Sequence, residues 1–190
     1  MSVKFNISYD LRSHLTITSF TSPSNLTSSG ILGGDTFALI RYYAYRDSSQ
    51  SYDYSWKTEE NDSHPAWHAF DSSSSTFTYV GAYAEKHGFL YIYNPNSFNI
   101  ESISIRNSCS TYGLRSFYLQ YSDDNETYTT LEYFNYGNTA PSSWNINVTP
   151  YEGYHKYYRW EIDRGSRDGV SYSNVQMSNI VLRGTQLVEV

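Results

Sequence analysis

The chain has almost no sulfur, little proline and no long apolar run. Its single cysteine, Cys109, excludes an intramolecular disulfide, so stability has to come from packing and hydrogen bonds. A lone thiol of this kind is ordinarily a small core or loop residue rather than a nucleophile. No stretch approaches the roughly 20 apolar residues of a membrane helix. Basic residues are scarce: 13 Lys and Arg against 19 Asp and Glu leave a net charge of −6 and a pI near 5.3. That balance excludes the basic face that nucleic acid or an anionic membrane surface requires. The N-terminal residues run into an alternating segment rather than an apolar core, so no signal peptide is expected. A helical period is nearly absent.

What is present is tyrosine and short alternation. There are 21 tyrosines against 9 phenylalanines, a ratio that suits half-exposed strand faces or recognition surfaces, since tyrosine buries a ring and keeps a hydroxyl wet. The 190 residues suffice for one domain with a real core. Strands are predicted over residues 3–9, 15–20, 37–45, 76–80, 89–93, 100–105, 117–121, 128–133, 144–148 and 158–162, with one or two more over 175–187. Asn94-Pro95-Asn96 reads as a strand terminator. Residues 122–126 read as a hairpin turn in which Asn125 takes the left-handed conformation. Polar clusters punctuate the rest, which is the pattern of an all-β sandwich.

One stretch stands apart. In residues 65–78 an apolar-aromatic run ends at Asp71, four serines follow, and Thr76 comes five residues after the aspartate. Further motifs succeed it in order: Phe89-Leu90-Tyr91-Ile92-Tyr93; Ile103-Ser104-Ile105-Arg106-Asn107; Phe117 to Leu131 with its Ser122-Asp123-Asp124-Asn125 turn; Tyr157-Tyr158-Arg159-Trp160; and Val175 to Gly184. Together they resemble the coagulation factor 5/8 type C, or discoidin, domains and the related galactose-binding-like carbohydrate modules. The resemblance covers roughly Tyr52 to Gly184. It departs from the family pattern at Ser72, Thr78, Asn125, Tyr128 and Asn179, where the family carries Gly, Trp, Gly, Trp and Glu.

The resemblance implies a discoidin-like jelly-roll β-sandwich over residues 41–190; residues 1–40 fall outside it and are expected to be an N-terminal extension supplying extra strands or an assembly arm. It implies a structural calcium held by Asp71, the Ser73 carbonyl, Thr76 and Asn179, with the site weakened because Asn179 replaces a carboxylate. The alternative is that Asp71 caps the serine loop through backbone N–H groups. The resemblance further implies glycan recognition by loops at one end. Arg106 and Asn107 stand where family members carry a ligand-binding arginine, and Tyr54, Trp56, His64, Tyr112 and Tyr172 are candidate platforms or donors. Against these stand pairing of Arg106 with Glu101 or Asp163, and a core role for Trp56.

Catalysis is not expected. The five histidines lack metal-ligand spacing, and Pro65 breaks any helix that would align His64 with His68. The expected function is therefore a non-catalytic module binding a glycan or cell-surface polysaccharide. The composition suggests a bacteriophage virion protein, in tail or capsid decoration, for host attachment. Other virion proteins or further copies of the chain are its expected partners, with no nucleic acid or membrane among them. An intracellular assembly subunit using the same sandwich as a protein-interaction platform is the alternative.

Overall fold

The computed structural model describes residues 15–21, 37–43, 56–57, 66–70, 73, 75–82, 88–107, 110–165 and 173–189. They form ten strands and one short 3-10 turn, Ala66–Ala69. The strands are β1 (Leu15–Thr21), β2 (Phe37–Tyr43), β3 (Trp56–Lys57), β4 (Thr78–Ala82), β5 (Gly88–Asn107), β6 (Leu114–Ser122), β7 (Thr129–Asn135), β8 (Ser143–Asn147), β9 (His155–Gly165) and β10 (Ser173–Glu189). The predicted strand over residues 3–9 lies outside the described residues. All pairings are antiparallel. The two N-terminal strands belong to the same sheet as the rest: β1 pairs with β10 and β2 with β5, so residue 40 falls inside β2.

The sheet curls on itself because β5 serves both of its layers. The first half of β5 pairs with β2 and β9, and β9 continues to β6 and β7. The second half pairs with β8 and β10, and β10 continues to β1 and β4. The expected break at Asn94-Pro95-Asn96 is instead a bulge inside one strand. From Tyr93↔Tyr157 to Phe98↔His155 the β5 side advances five residues and the β9 side two. Proline can sit there because a bulge releases it from the ladder. The core lies between the layers. Leu90, Ile92, Phe98, Ile103 and Ile105 of β5 meet Phe117, Leu119, Trp144, Tyr158, Trp160, Met177 and Leu182, all of them buried. Ala69 and Phe70, just before the aspartate of the singled-out stretch, are fully buried against this core, with Phe70 6.1 Å from Trp160.

Three hydroxyl-mediated bonds hold the turn of β5 between layers. Tyr158 donates to the Phe98 carbonyl at 2.6 Å, which leaves its oxygen to accept from the Tyr151 hydroxyl. The Tyr151 oxygen in turn accepts the Ile100 amide at 3.0 Å. Burial is the main cause raising the pKa of both phenols, so the chain of protons stays intact across the physiological range. Between Ile100↔Gly184 and Ser102↔Arg183 the β5 side carries one extra residue, Glu101, and the inward-facing positions change from even to odd numbers. Gly184 sits against this bulge. A Cβ there would stand 1.9 Å from the Asn99 carbonyl oxygen, so only glycine fits without moving backbone.

The β6–β7 hairpin has the expected turn. Asn125 takes φ +60, as the left-handed position requires. One Asp124 carboxylate oxygen accepts the amides of Glu126 and Thr127, both at 2.8 Å, and the Ser122 hydroxyl at 2.8 Å. Those two amides, then Ser122, lower the Asp124 pKa from 3.8 to about 2. The folded carboxylate holds its proton less tightly than the unfolded chain does. The stability it contributes is therefore complete above a pH of about 4 and is lost as pH falls towards about 2. The melting-temperature difference between the parent and Asp124→Asn should be constant above about pH 5 and shrink to nothing near pH 2. A difference that persists unchanged at the acid end would contradict the assignment.

Candidate functional site

At the end of β5 that abuts the 110–113 and 136–142 loops, the outward side chains of three neighbouring strands bound an open groove of about 420 Å³. That volume is within the range of small-molecule sites. Ser104 and Arg106 come from β5, Ser143 and Asn145 from β8, and Asn179 from β10. The ladders explain the grouping, since Ser104 lies opposite Asn145, and Arg106 opposite Ser143 and Ser178. Period-two alternation sends these residues outward while Ile103, Ile105 and Ile146 point into the core. Asn179 joins them because β10 bulges. From Ser178↔Arg106 to Val181↔Ser104, β10 advances three residues against two, and Asn179 takes φ +47. Asparagine tolerates this conformation better than the glutamate of the family pattern.

The polar side chains around the groove fall into two groups. Asn107 turns inward and is buried. Its amide nitrogen donates to the carbonyls of Leu114 (3.3 Å) and Pro141, and its oxygen accepts the Leu114 amide at 2.9 Å. Its backbone amide bonds the Ser142 carbonyl at 3.1 Å. Asn107, expected to touch ligand, thus ties the neighbouring loops to the strand and sets the Ser142–Ser143 wall. Arg115, also buried, donates from Nε to the Gly137 carbonyl at 2.9 Å and braces the 136–138 turn. Trp144 points inward from β8 and braces the sheet from the core side, with Nε1 donating to the Leu114 carbonyl at 3.1 Å and its ring 5.5 Å from Phe117.

In the second group, Arg106 is exposed and, among the described residues, its side chain makes no hydrogen bond or ion pair. The alternative pairings do not form. Asp163 is taken by Ser116 and Tyr133, both at 2.7 Å, and Glu101 stands roughly 16 Å up the strand at about 3.3 Å per residue. Asn145 accepts from Ser104 at 3.4 Å, which leaves its amide N–H groups without a protein acceptor among the described residues. Asn179 is likewise unengaged there. Tyr136, 59% exposed, stands edge-on to Trp144 at 5.5 Å and 69°.

Of the other residues expected at the site, Trp56 is placed only by its backbone in β3, opposite Tyr43. Tyr54, His64 and Tyr172 lie outside the described residues. Tyr112 is half-buried, and its carbonyl accepts the Gln176 amide at 2.7 Å, which docks its loop on β10. The sequence reading did not single out Ser104, Ser143, Trp144, Asn145 or Tyr136. They were taken as strand or turn positions, and only the β5–β8 register shows which of them stand beside Arg106.

Of the expected calcium donors, Ser73, Thr76 and Asn179 are among the described residues. Asp71 lies outside them. The Ser73 hydroxyl accepts the amides of Ser75 (3.1 Å) and Thr76 (3.3 Å), capping the loop that Asp71 was alternatively expected to cap. Asn179 lines the same groove as the Arg106 guanidinium, which repels a cation. No group of three His, Cys, Asp or Glu side chains suited to a metal stands among the described residues.

Because Asn107 satisfies both the amide and the carbonyl of buried Leu114, Asn107→Ala should cost about 1–3 kcal/mol in a chemical denaturation midpoint analysis. Arg106→Ala, which breaks no bond, should leave the midpoint unchanged. Equal losses for the two would refute the division.

No family model and no curated protein matches the chain. Solved structures do match in shape. An F5/8 type C domain from Bacteroides fragilis aligns at TM-score 0.54 and 16% identity over 67% of this chain and 85% of its own. A family 32 carbohydrate-binding module of Clostridium perfringens, solved with galactose, aligns at 0.55 and 11% over 87% and 99%. A chitosan-binding module from a Paenibacillus sp. IK-5 chitosanase/glucanase aligns at 0.53 and 18% over 79% and 95%. The chain has the galactose-binding-like, discoidin-type β-sandwich fold that these modules share.

Proposed function

We propose that the protein is a non-catalytic glycan-binding module whose site is the Arg106 groove. The observation that carries this reading is the set of polar side chains unengaged among the described residues, Arg106, Asn145 and Asn179, gathered on the outward face of β5, β8 and β10, together with the exposed ring of Tyr136 packed against Trp144. Sugar recognition needs this mixture. Hydroxyls are held by amide and guanidinium donors, and the apolar sugar face lies on an aromatic ring. The shape relatives, one solved with galactose and one a chitosan-binding module, support the glycan-binding class of this reading. The finer setting, attachment of a bacteriophage virion to polysaccharide on its host, rests on the composition.

A second reading has one observation of its own. Leu15 (45%) and Ile17 (60%) are exposed on β1, the outermost strand of its layer among the described residues, and β1 has no charge along its length. An uncharged apolar edge is what a protein partner would use.

An array of bacterial and animal glycans separates the two. The glycan reading expects discrete hits that Tyr136→Ala weakens about 10-fold, through lost stacking worth about 1–1.5 kcal/mol. An array without hits, together with a stoichiometric protein partner lost in Ile17→Lys, would select the second reading.

A further inference from the structure

We propose that the groove takes an acidic glycan, with the carboxylate or sulfate of an anionic sugar seated on the Arg106 guanidinium. This rests on the glycan reading above and names the ligand class. Among the described residues, the groove lining includes one ionisable group, Arg106, and no carboxylate. The charge is not neutralised from within, since no described acidic side chain pairs with it. The free hydrogen-bonding capacity is weighted towards donors. Arg106 brings five N–H groups in a planar fork, and Asn145, whose oxygen is already used by Ser104, brings its amide hydrogens. Asn179 adds a further amide. A neutral sugar presents hydroxyls that must donate as well as accept, and the guanidinium, with no acceptor of its own, answers only half of that need. A carboxylate or sulfate ester only accepts, and its paired oxygens match the guanidinium fork.

The remainder of the molecule works against a nonspecific version of this binding. At a net charge of −6 the protein as a whole repels polyanions, so attraction to an acidic chain has to be local. Arg106 sits at the strand end, exposed, where a polymer can pass without threading a cavity.

The test measures the full chain by calorimetry and retardation electrophoresis against three polymers: polygalacturonate for the carboxylate source, dextran sulfate for the sulfate source, and neutral galactan. Binding to one or both acidic polymers and not to galactan is expected. Arg106→Ala should weaken it about 10- to 100-fold with an unchanged melting temperature. Arg106→Lys should recover only part, because it keeps the charge and loses the fork. Affinity should fall as NaCl rises. Galactan binding equal to or tighter than acidic binding would overturn the anionic assignment and leave the glycan reading standing. Acidic binding indifferent to Arg106→Ala would overturn the site. Absence of binding to all three and to the array would remove the glycan reading and this inference with it.

Discussion

The sandwich depends on one strand changing layers. If straight, the 20 residues of β5 would run roughly 65 Å at about 3.3 Å each, far more than a domain of this size can hold. The strand is instead interrupted twice, by the bulge at 94–97 and by the extra residue at Glu101. Each interruption is answered by a fixed partner. The Tyr158–Tyr151 hydroxyl chain grips the backbone at Phe98 and Ile100, with the Phe98 and Tyr158 rings 4.5 Å apart. Gly184 leaves room for the second bulge. Because the second bulge reverses which parity faces inward, Ser104 and Arg106 point outward while Ile103 and Ile105 fill the core. Without it, the guanidinium would be driven into the apolar interior at a cost no local contact could offset.

The groove follows from the same device used again on β10. There the extra residue is Asn179, and its left-handed backbone places an amide beside Arg106 that a regular strand would have sent elsewhere. Bulges at this density let the two layers curl closely, and they also decide which side chains a ligand meets. Electrostatically the result is a local donor field on an acidic protein. It is braced by buried groups, Asn107 and Arg115, whose hydrogen bonds run to backbone carbonyls of the surrounding turns.

Much of the fold was legible in the sequence because its determinants are local. Alternation marked β1, β6, β8 and β9 to within a few residues, and Asn125 marked the hairpin through its tolerance of positive φ. The misreading at Asn94-Pro95-Asn96 has a physical cause. Proline punctuates a strand whether the chain ends there or merely leaves the ladder for a bulge, and only the pairing partner distinguishes the two. Arg106 was singled out through the family resemblance and expected at the start of a loop, whereas it is the last outward residue of β5. The companions of Arg106 were not visible, since Asn145 and Asn179 reach it through register across strands, 39 and 73 residues away in the sequence. Asn107 was assigned to ligand together with Arg106 through the family resemblance, although alternation puts neighbours on opposite faces of a strand.

The separation of engaged from unengaged polar groups has a consequence for how such a surface can change over generations. Asn107, Arg115 and Trp144 carry the scaffold's bonds, whereas Arg106 and Asn179 carry none. Substitution at Arg106 is nearly free of stability cost, whereas Asn179 is held to asparagine or glycine by its left-handed backbone. A lineage, or a designer, can therefore drift through new recognition chemistries at Arg106 while the brace beneath it stays fixed. Evolvability of this kind needs no loop insertion, only a groove whose lining the fold does not use.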